Sequence, residues 1–393
     1  MDFVSDAVGS INSKIASLKV ESIMKVALVH DHLVQDGGAE RVLKIFQDIF
    51  PNAPIYTLLY NAKTMGNDFR QKDIRTSFIQ DLPWGLKKYQ WYLPLMPMAT
   101  ERHDLTGYDL VISSASAMAK GVITHPNTLH ICYCHTPTRY LWTDTHSYIK
   151  ELNVNRVLKR IIPLFLTRLR KWDRLAADRV DYYVANSKNV AKRIYKYYRR
   201  QSEVIYPPVE IDKFYIADQL NHYYLAGGRL VPYKRFDMVV QAFNKLGIPL
   251  KIFGTGPEEA KLKKMAKPHI EFLGRVSPKQ LAELYAHALA YIHPQEEDFG
   301  ITSVEAMASG RPVIAYPVGG ALETVIPGVT GEFFDEQTWE SLGDAVIRFK
   351  PESYDPQTIR QHATKFGVDE FKNRIMDYIE KTYQEFKGNK LIK

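Results

Sequence analysis

Short apolar runs alternate with helical segments along the chain from residue 24 onward. Apolar runs bounded by turn-forming residues are typical of buried strands, whereas AERVLKIFQDIF (39–50) has helical spacing. A second, longer helical region is predicted at about 150–176. In this half, the runs that predict strands are KVALVH (25–30), APIYTLLY (53–60), YDLVISSAS (108–116), LHICYCH (129–135), VDYYVANS (180–187) and SEVIYPPV (202–209).

The same alternation restarts in the second half of the chain. The helix predicted for SPKQLAELYAHA (277–288) begins with a capping box, formed by Ser277 and Gln280. Further helices are predicted at 236–246, 257–266 and 300–310, and a last one at about 366–387. The predicted strands are YYLAGGRL (223–230), LKIFGTG (250–256), IEFLGRV (270–276), LAYIHP (289–294) and PVIAY (312–316).

Strands that are apolar nearly throughout and that alternate with helices indicate parallel sheets covered on both faces, an α/β fold. A chain of 393 residues suggests two domains. We predict an N-terminal domain over 24–208, a C-terminal domain over 209–365 and a C-terminal helix in 366–393 that packs back on the N-terminal domain. Two such domains face to face make a cleft, and ligands of open α/β sheets bind beyond the carboxyl ends of the strands.

Residues 1–23 carry an apolar stripe at helical spacing and predict an amphipathic N-terminal extension. This helix would dock on the body, on a partner or on a membrane surface; alternatively, the segment reflects an upstream start codon, because Met24 opens a natural first strand. The sequence contains no run of about 18 apolar residues, so no transmembrane helix is expected, and no signal peptide is expected either. The stripe consists of Val4, Val8, Ile11, Ile15 and Leu18.

Positive charge is concentrated in one segment. The formal net charge of the whole chain is +8, yet residues 156–200 alone contain 14 Lys and Arg against three acids. Apolar residues are interleaved with these cations, a pattern that fits an anionic membrane surface, a phosphate-bearing lipid or nucleic acid. A solvated helix face is the alternative. Aromatic residues beside a Lys pair in KKYQWYLPLMPM (87–98) favour an interface.

The two cysteines, Cys132 and Cys134, stand two residues apart on a predicted strand. Their side chains face the same side, so a disulfide between them is not expected, and the cysteine usage fits a reducing compartment. The surrounding pattern His-x-Cys-x-Cys-His contains metal-ligand types. A zinc site, however, needs ligands that converge from more than one element, so we expect no metal there.

Two glutamates, Glu297 and Glu305, stand with seven residues between them in HPQEEDFGITSVEAMASGRPVIAY (293–316). A helix is predicted to begin near Gly300, and its first turn offers free N–H groups and a positive dipole end to a phosphate. Gly300 lets a ligand approach the backbone closely. Glu305 can accept hydrogen bonds from vicinal hydroxyls such as those of a ribose, and Glu297 can reach a sugar hydroxyl. Two solvated glutamates flanking a helix start are the alternative.

This stretch, continued to Val325, resembles the glutamate-pair signature of retaining glycosyltransferases with the GT-B fold, in which two Rossmann-like domains face across a cleft. Within these, the chain most resembles glycosyltransferase family 4, and the likeness extends over nearly the whole chain from Met24. The resemblance implies that Glu305 binds the ribose of the donor and that Glu297 contacts the transferred sugar.

Two cations, Arg229 and Lys234, follow a predicted strand in GGRLVPYKRFD (227–237). Such a pair is by itself more often surface charge, but this segment resembles the donor-phosphate segment of the family. The two cations would neutralise a diphosphate and the charge that develops as it leaves. The resemblance also implies donor-binding residues at the start of the helix predicted near Gly300, namely Phe299, Gly300 and Ile301.

The first half carries two further segments of the family pattern. DGGAERV (36–42) is a Gly-rich loop entering a helix; the resemblance implies that Gly37 and Gly38 contact the phosphate and sugar of the donor and shape the acceptor side. His135 follows a buried strand in CHTPTRYLWTD (134–144), and similar enzymes use this histidine on the transferred sugar. A capped loop histidine is the alternative.

The nucleobase is the least readable part of the donor. IFGTGPEE and FLGRV resemble segments that hold the base through backbone groups, here around Arg275 and Val276, so the side chains do not reveal which base is bound. A second close-packed turn near the donor is expected at Gly319, Gly320 and Glu323.

The resemblance implies a hexosyltransferase that moves a sugar from a nucleotide diphosphate to an acceptor hydroxyl of a lipid-linked saccharide or other glycan precursor, with retention. Catalytic roles fall to His135, Glu297, Arg229 and Lys234, and a same-face displacement is expected. No Asp-x-Asp motif stands in these loops, so no obligatory metal or cofactor is expected. HTPTRYLW resembles a mannosyltransferase-like branch, which suggests GDP-mannose, with a UDP-sugar as the alternative donor.

Three other functions fit the sequence less well. The glutamate pair argues against a sugar-nucleotide epimerase of the same fold. A basic nucleic-acid-binding protein would leave the glutamates and glycines of the second half unexplained, so no nucleic-acid partner is expected. An inactive sugar-nucleotide-binding scaffold is disfavoured because all expected site residues are present. We expect a cytoplasmic enzyme whose segment 156–200 lies at the inner face of the cell membrane.

Overall fold

The computed structural model describes residues 24–66, 68–146, 149 and 155–390. The amphipathic helix predicted for residues 1–23 lies outside this part of the chain. Two compact units are present: the first extends to Tyr206 and resumes at Phe371, and the second is Pro207–Glu370. Each unit is built on its own parallel sheet.

The sheet of the first unit has seven parallel strands among the described residues. They are β1 (Val26–His30), β2 (Ile55–Thr57), β3 (Ile74–Thr76), β4 (Leu110–Ala115), β5 (Leu129–Cys134), β6 (Tyr182–Ala185) and β7 (Ser202–Val204). Their order is β3-β2-β1-β4-β5-β6-β7. Leu28 lies in one apolar core and its neighbour Val29 in another, so the sheet is buried on both faces, as its apolar strands predict.

Helices alternate with the strands of the first unit. The helix in the second half of the basic segment 156–200 is capped by Ser187, whose Oγ accepts a hydrogen bond from the N–H of Val190 at 3.1 Å. The helices are α1 (Gly38–Ile49), α2 (Ala62–Met65), α3 (Met96–Glu101), α4 (Arg156–Ala177) and α5 (Lys188–Tyr198), with 3₁₀ segments at Phe78–Asp81, Tyr89–Leu95, Ala119–Gly121 and Arg139–Leu141.

The second unit contains a parallel sheet of six strands. They are β8 (Tyr224–Gly227), β9 (Leu250–Phe253), β10 (Ile270–Gly274), β11 (Tyr291–His293), β12 (Val313–Ala315) and β13 (Gly331–Phe333). Their order is β10-β9-β8-β11-β12-β13, so the direction of winding reverses between β8 and β11. In open sheets of this kind, ligands bind beyond the carboxyl ends of the strands at such a reversal.

Helices alternate with these strands. The predicted capping box is confirmed: Ser277 Oγ accepts from the N–H of Gln280 at 3.3 Å, and Gln280 Oε1 accepts from the N–H of Ser277 at 2.9 Å. The helices are α6 (Phe236–Leu246), α7 (Glu259–Met265), α8 (Pro278–Ala286), α9 (Ile301–Ala308), α10 (Ala321–Thr324), α11 (Trp339–Arg348) and α12 (Pro356–Thr364), with 3₁₀ segments at Ile211–Lys213, Pro232–Lys234 and Pro351–Ser353.

The last helix, α13 (Val368–Lys390), returns the chain to the first unit. The ring of Phe371 packs edge-to-face against Phe46 and against Tyr133, with ring centres 5.7 Å apart in both contacts. Ile375 and Ile379 of the same helix are buried in this core. The apolar face of α13 is thus part of the core that covers one side of the seven-stranded sheet.

Candidate functional site

The reversal of strand order in the second unit brings two predicted site segments together. β8 and β11 are neighbours in the sheet, and the loop after β8 carries Lys234 while the loop after β11 carries Glu297. Lys234 Nζ lies 2.7 Å from Glu297 Oε1. Residues predicted separately for the diphosphate and for the sugar therefore form one ion pair at the carboxyl edge of the sheet.

This pair is largely withdrawn from solvent: the side chains of Lys234 and Glu297 are 11% and 19% exposed. Burial alone would raise the pKa of Glu297, but the charges of Lys234 and His293, with hydrogen bonds from Lys234 and Gln295, lower the pKa to about 2. Burial also opposes the charge on Lys234, and Glu297 outweighs it, so the pKa of Lys234 is raised. Both groups are consequently ionised near neutral pH.

Gln295, which the sequence did not point to, holds the glutamate from the other side. Its Nε2 donates to Glu297 Oε1 at 3.1 Å and lies 3.3 Å from His293 Nδ1. Gln295 and His293 are fully buried, and burial lowers the pKa of His293 to about 4, so this ring is neutral at pH 7. Within the described structure, His293 Nε2 and Gln295 Oε1 have no hydrogen-bond partner. Because buried polar atoms are normally paired, they mark an edge that suits a polar ligand.

Helix α9 begins beside this loop. Gly300 is its N-cap with φ +90°, a left-handed conformation that favours glycine. Glu305, in the second turn, is only 3% exposed, and the hydroxyl of Tyr285 donates to its Oε2 at 3.2 Å. The second glutamate is therefore held in a fixed orientation by a tyrosine of α8.

A glycine turn closes the far side of the Glu297 loop. The N–H of Gly320 donates to the carbonyl oxygen of Glu297 at 2.8 Å, and Gly319 forms a β-bridge with Glu297. A Cβ on Gly320 would lie 2.3 Å from the backbone of Phe299, so only glycine fits there. The predicted second turn thus packs directly against the loop of the first glutamate, with Glu323 following at the start of α10.

The other predicted donor residues occupy more varied positions. Arg229 is exposed in the loop after β8, and Val276 is half-buried after β10, beside the exposed Arg275. Phe299 is buried, and its ring packs edge-to-face against Phe366. Its side chain is committed to the core, and its backbone packs against Gly320. Ile301 is the first residue of α9 and is half-buried.

The first unit has an equivalent reversal between β1 and β4. Asp31, directly after β1, is buried, and its carboxylate accepts four hydrogen bonds of 2.6–2.9 Å from the N–H groups of Ser116, Ala117, Met118 and Ala119. Burial would raise the pKa of Asp31, but His30, His32 and these N–H groups lower it. This carboxylate fixes the loop after β4 to the end of β1.

His135 lies directly after β5 and is 9% exposed. Its Nε2 is 2.8 Å from Ser114 Oγ, and burial lowers its pKa to about 4, so the ring is neutral at pH 7. Gly37 precedes α1, and its N–H donates to Glu40 Oε2 at 2.9 Å; Gly38 is the first residue of that helix. The predicted residues of the first unit thus lie at the ends of β1 and β5, next to buried polar side chains.

Two expectations concern metals and membranes. Among the described residues, no group of three or more His, Cys, Asp and Glu side chains is arranged to hold a metal ion. Cys132 and Cys134 are free and fully buried in the core on one side of the sheet. In the same part of the chain, no helix combines the length and the apolar character needed to cross a membrane.

Known proteins match the chain in both sequence and fold. The family model described as Glycosyltransferase Family 4 matches residues 37–213, and that of Glycosyl transferases group 1 matches residues 211–366. An uncharacterized glycosyltransferase of Methanocaldococcus jannaschii is 26% identical over 221 residues, which is 55% of this chain and 63% of the relative. A GDP-mannose-dependent alpha-mannosyltransferase of Mycolicibacterium smegmatis is 37% identical over 121 residues, 30% of this chain and 32% of the relative. The matches therefore span less than two thirds of these relatives.

Solved structures agree on the fold. HepE of Anabaena in complex with UDP aligns with a TM-score of 0.70 at 18% identity, covering 91% of this chain and 100% of that one. Sucrose-phosphate synthase of Thermosynechococcus elongatus aligns with a TM-score of 0.67 at 16% identity, covering 92% and 99%. These solved structures show the GT-B fold, and the two family models, which jointly cover residues 37–366, show that the chain belongs to glycosyltransferase family 4.

Proposed function

We propose that this protein transfers a hexose from a nucleotide-diphosphate sugar to an acceptor hydroxyl, with retention at the anomeric carbon. The observation that carries this proposal is the Lys234–Glu297 ion pair at the carboxyl edge of the second sheet, beside the N-cap Gly300 of α9. In this proposal Lys234 binds phosphate and Glu297 binds sugar hydroxyls, and the nearby helix N-terminus favours the anion. Solved neighbours bind UDP and UDP-glucose by their titles, which supports a donor of this class.

The donor would be divided among these groups by its chemistry. Arg229 and Lys234 take the diphosphate and stabilise the negative charge that develops as it leaves. Glu297 accepts hydrogen bonds from the transferred sugar, and Glu305 from the ribose. In the first unit, His135 acts on the same sugar. Backbone groups supply the remaining contacts, at Gly37, Gly38, Val276, Phe299, Gly300 and Ile301.

The ion pair explains how the site stays ordered before a donor arrives. Lys234 and Glu297 neutralise each other in a position where a single charge would be expensive to bury. Gln295 binds the same oxygen, Oε1, so the carboxylate is held along one edge. A diphosphate then has to compete with Glu297 for Lys234, and the pair becomes a three-membered network when the donor binds.

GDP-mannose is the donor we propose first. Relatives in two mycobacterial species are named GDP-mannose-dependent mannosyltransferases, whereas the solved neighbours bind UDP or UDP-glucose by their titles. UDP-sugars are therefore the second choice. Side chains near Val276 do not decide between the bases, because the proposed contacts there come from the backbone.

Donor binding tests the proposal directly. Calorimetric titration with GDP-mannose, UDP-glucose and an ADP-sugar should show one tight donor. K234M should weaken it by about 10-fold or more, since loss of one charge from a buried contact costs about 2–5 kcal/mol, and R229A, at an exposed position, should also weaken it. K251M is the matched control, because the Lys251–Glu271 pair lies elsewhere in the same unit. Unchanged affinity in both R229A and K234M contradicts the site. Incubation of the donor without acceptor should yield no epimerised sugar nucleotide.

We further propose that the acceptor is lipid-linked and that the first unit docks on an anionic membrane surface at the cytoplasmic face. Ile161 and Leu164 of the basic helix α4 are exposed, as are Trp84 and Trp91. Apolar side chains among cations are typical of membrane-surface segments. A surface pocket of about 420 Å³ on this helix is lined by Trp142, Thr167, Arg170, Lys171, Arg174 and Leu175.

Vesicle sedimentation tests the membrane proposal. Vesicles that contain phosphatidylglycerol should pull the protein down at low salt, and vesicles of phosphatidylcholine alone should not. L164D should abolish sedimentation, whereas I347D, an equally drastic change at an exposed isoleucine of the second unit, should not. Equal sedimentation of the two variants would contradict the role of α4.

A further inference from the structure

Four buried polar side chains connect the Gly-rich loop of the first unit to His135. His135 Nε2 lies 2.8 Å from Ser114 Oγ, and Ser114 Oγ lies 3.2 Å from His30 Nδ1. His30 Nε2 is 3.6 Å from Glu40 Oε1, slightly beyond ordinary hydrogen-bond distance. Glu40 Oε2 accepts from the N–H of Gly37 at 2.9 Å. We call His135, Ser114, His30 and Glu40 the polar chain.

Strand register builds the polar chain. His30 at the end of β1 pairs directly with Ser114 on β4, and paired residues of parallel strands point to the same face. Ser114 pairs in turn with Tyr133 on β5, and His135 lies two residues further on that face. Glu40 is added from the first turn of α1, whose N-cap is Gly37.

All four side chains are at least nine-tenths buried, so water does not complete their hydrogen bonds freely. The direction of the bonds is then decided at one end. An ionised carboxylate can only accept hydrogen bonds, and burial, which would raise the pKa of Glu40, is outweighed by His30, so that this pKa is lowered. When the His30 ring carries a single ring proton, that proton lies on Nε2 facing Glu40, and Nδ1 is an acceptor.

The rest of the order follows from this start. Ser114 donates its hydroxyl proton to His30 Nδ1, and Ser114 Oγ accepts from His135 Nε2–H. His135 is left with a lone pair on Nδ1, the ring nitrogen not used by the chain.

We propose that Glu40, His30 and Ser114 are positioning residues that fix His135 as its Nε2–H tautomer and so present Nδ1 as a hydrogen-bond acceptor. This inference deepens the proposed function, because it assigns the chemistry that His135 offers to a sugar hydroxyl. It also couples that chemistry to the Gly37 loop, since the same carboxylate holds both.

The E40Q variant gives the sharpest test. Its amide oxygen has to face the N–H of Gly37, so its NH₂ group faces His30 and donates to Nε2. His30 then carries its proton on Nδ1, Ser114 accepts from it and donates to His135 Nε2, and His135 becomes the Nδ1–H tautomer. One change at Glu40 should therefore invert the tautomer of His135, although Glu40 is linked to His135 only through His30 and Ser114.

Nitrogen NMR of the full chain with ¹⁵N-labelled histidine reads the tautomer, with the His135 signals assigned by their loss in H135N. At pH 8, wild type should show Nε2–H and E40Q should show Nδ1–H. E101Q, the same change at a glutamate of the first unit outside the polar chain, should match wild type. An Nε2–H tautomer in E40Q, or Nδ1–H in wild type, would overturn the proposal.

S114A provides a second variant, which removes a single hydroxyl group. It removes the acceptor of the His135 Nε2–H, so this proton should move upfield from its hydrogen-bonded position; an unchanged proton shift would also overturn the proposal. Sugar transfer is measured in parallel, where E40Q should lower kcat by 10-fold or more with the KM for donor changed less than threefold. If the tautomer inverts but no variant or wild type transfers sugar, the polar chain stands and the proposed function fails.

Discussion

Replacing Asp173 by Asn should destabilise the first unit by several kcal/mol, although the change keeps the side chain's shape. Asp173 lies in the basic helix α4 and is fully buried. Its carboxylate accepts hydrogen bonds from Lys120 Nζ at 2.5 Å, Thr138 Oγ1 at 2.8 Å, Trp142 Nε1 at 2.8 Å and Tyr198 Oη at 2.9 Å. Four donors converge on it, so an amide in D173N would direct an N–H group at another donor.

The magnitude follows from what D173N leaves behind. Lys120 is 1% exposed, and the other acceptor that the described structure gives its ammonium group is the carbonyl of Ala117 at 2.6 Å. Removing one partner of a buried ion pair costs about 3–5 kcal/mol. D178N is the matched control, because it breaks the exposed Arg174–Asp178 pair of 2.6 Å on the same segment, and such pairs contribute about 0–1 kcal/mol.

Urea unfolding followed by tryptophan fluorescence measures the difference. Four of the five tryptophans, at positions 84, 91, 142 and 172, lie in the first unit, so the signal reports chiefly on that unit. D173N should lower the midpoint strongly and D178N hardly at all. The double variant K120M/D173N should recover part of the loss, since no uncompensated ammonium stays buried. Equal midpoints for D173N and D178N would refute this account of the buried charge.

Three further changes have definite expected outcomes. Ionised Glu297, whose pKa is lowered to about 2, stabilises the fold above the ordinary glutamate pKa of about 4.3, and this stabilisation is lost as pH falls toward 2. Near neutral pH the unfolding free energy of wild type should therefore exceed that of E297Q by an amount on the order of 3 kcal/mol. In urea titrations this difference should begin to shrink below about pH 4.3, and a constant difference would be contrary evidence. G320A should abolish the donor-induced rise in Tm, because its Cβ would overlap the backbone of Phe299 and displace the Glu297 loop. F371A should lower the unfolding free energy of the first unit by about 3–5 kcal/mol, measured by the same fluorescence, while the donor-induced rise in Tm persists.

The fold was predictable where apolar runs were long and isolated. The helix expected at 236–246 has those bounds in the structure, and β5 falls within its predicted run. APIYTLLY (53–60) predicts a strand longer than β2, which has three residues. The strand ends early because Leu58 and Leu59 leave the sheet and pack in a separate apolar cluster. Burial had been detected correctly, but burial alone does not distinguish a strand from a packed loop.

Elements without an apolar run were missed. β3 has one half-buried and two exposed residues, as an edge strand can, so its sequence carries almost no signal. Helix α11 was also missed, although signals for it exist: Thr338 caps its start, and Leu342, Ala345 and Val346 are buried at helical spacing. The first omission is physical, since edge strands need not be apolar, whereas the second pattern was readable.

The candidate site shows a sharper division between what a sequence reveals and what it conceals. Motifs pointed to the residues that we propose to contact a ligand, such as Glu297 and His135, because ligand chemistry constrains residue type at fixed spacing. They did not identify Ser114, whose role depends on pairing with a strand residue 84 positions away. Register between distant strands is set by the whole sheet, so a side chain that orients another one across it has no local pattern of its own.

In both units the polar groups lie at a reversal of strand order. This is why the residues that support them are hard to predict from the local sequence. At a reversal, neighbouring strands are distant in the chain: β1 pairs with β4, and β8 with β11. In open α/β sheets the gap between such outgoing loops is where ligands bind, and here it joins side chains from both loops in the Lys234–Glu297 pair. A substitution of one member of such a pair is therefore expected to affect the charge or hydrogen bonding of the other member. Variant effects in this protein should accordingly group by sheet neighbour rather than by distance along the chain.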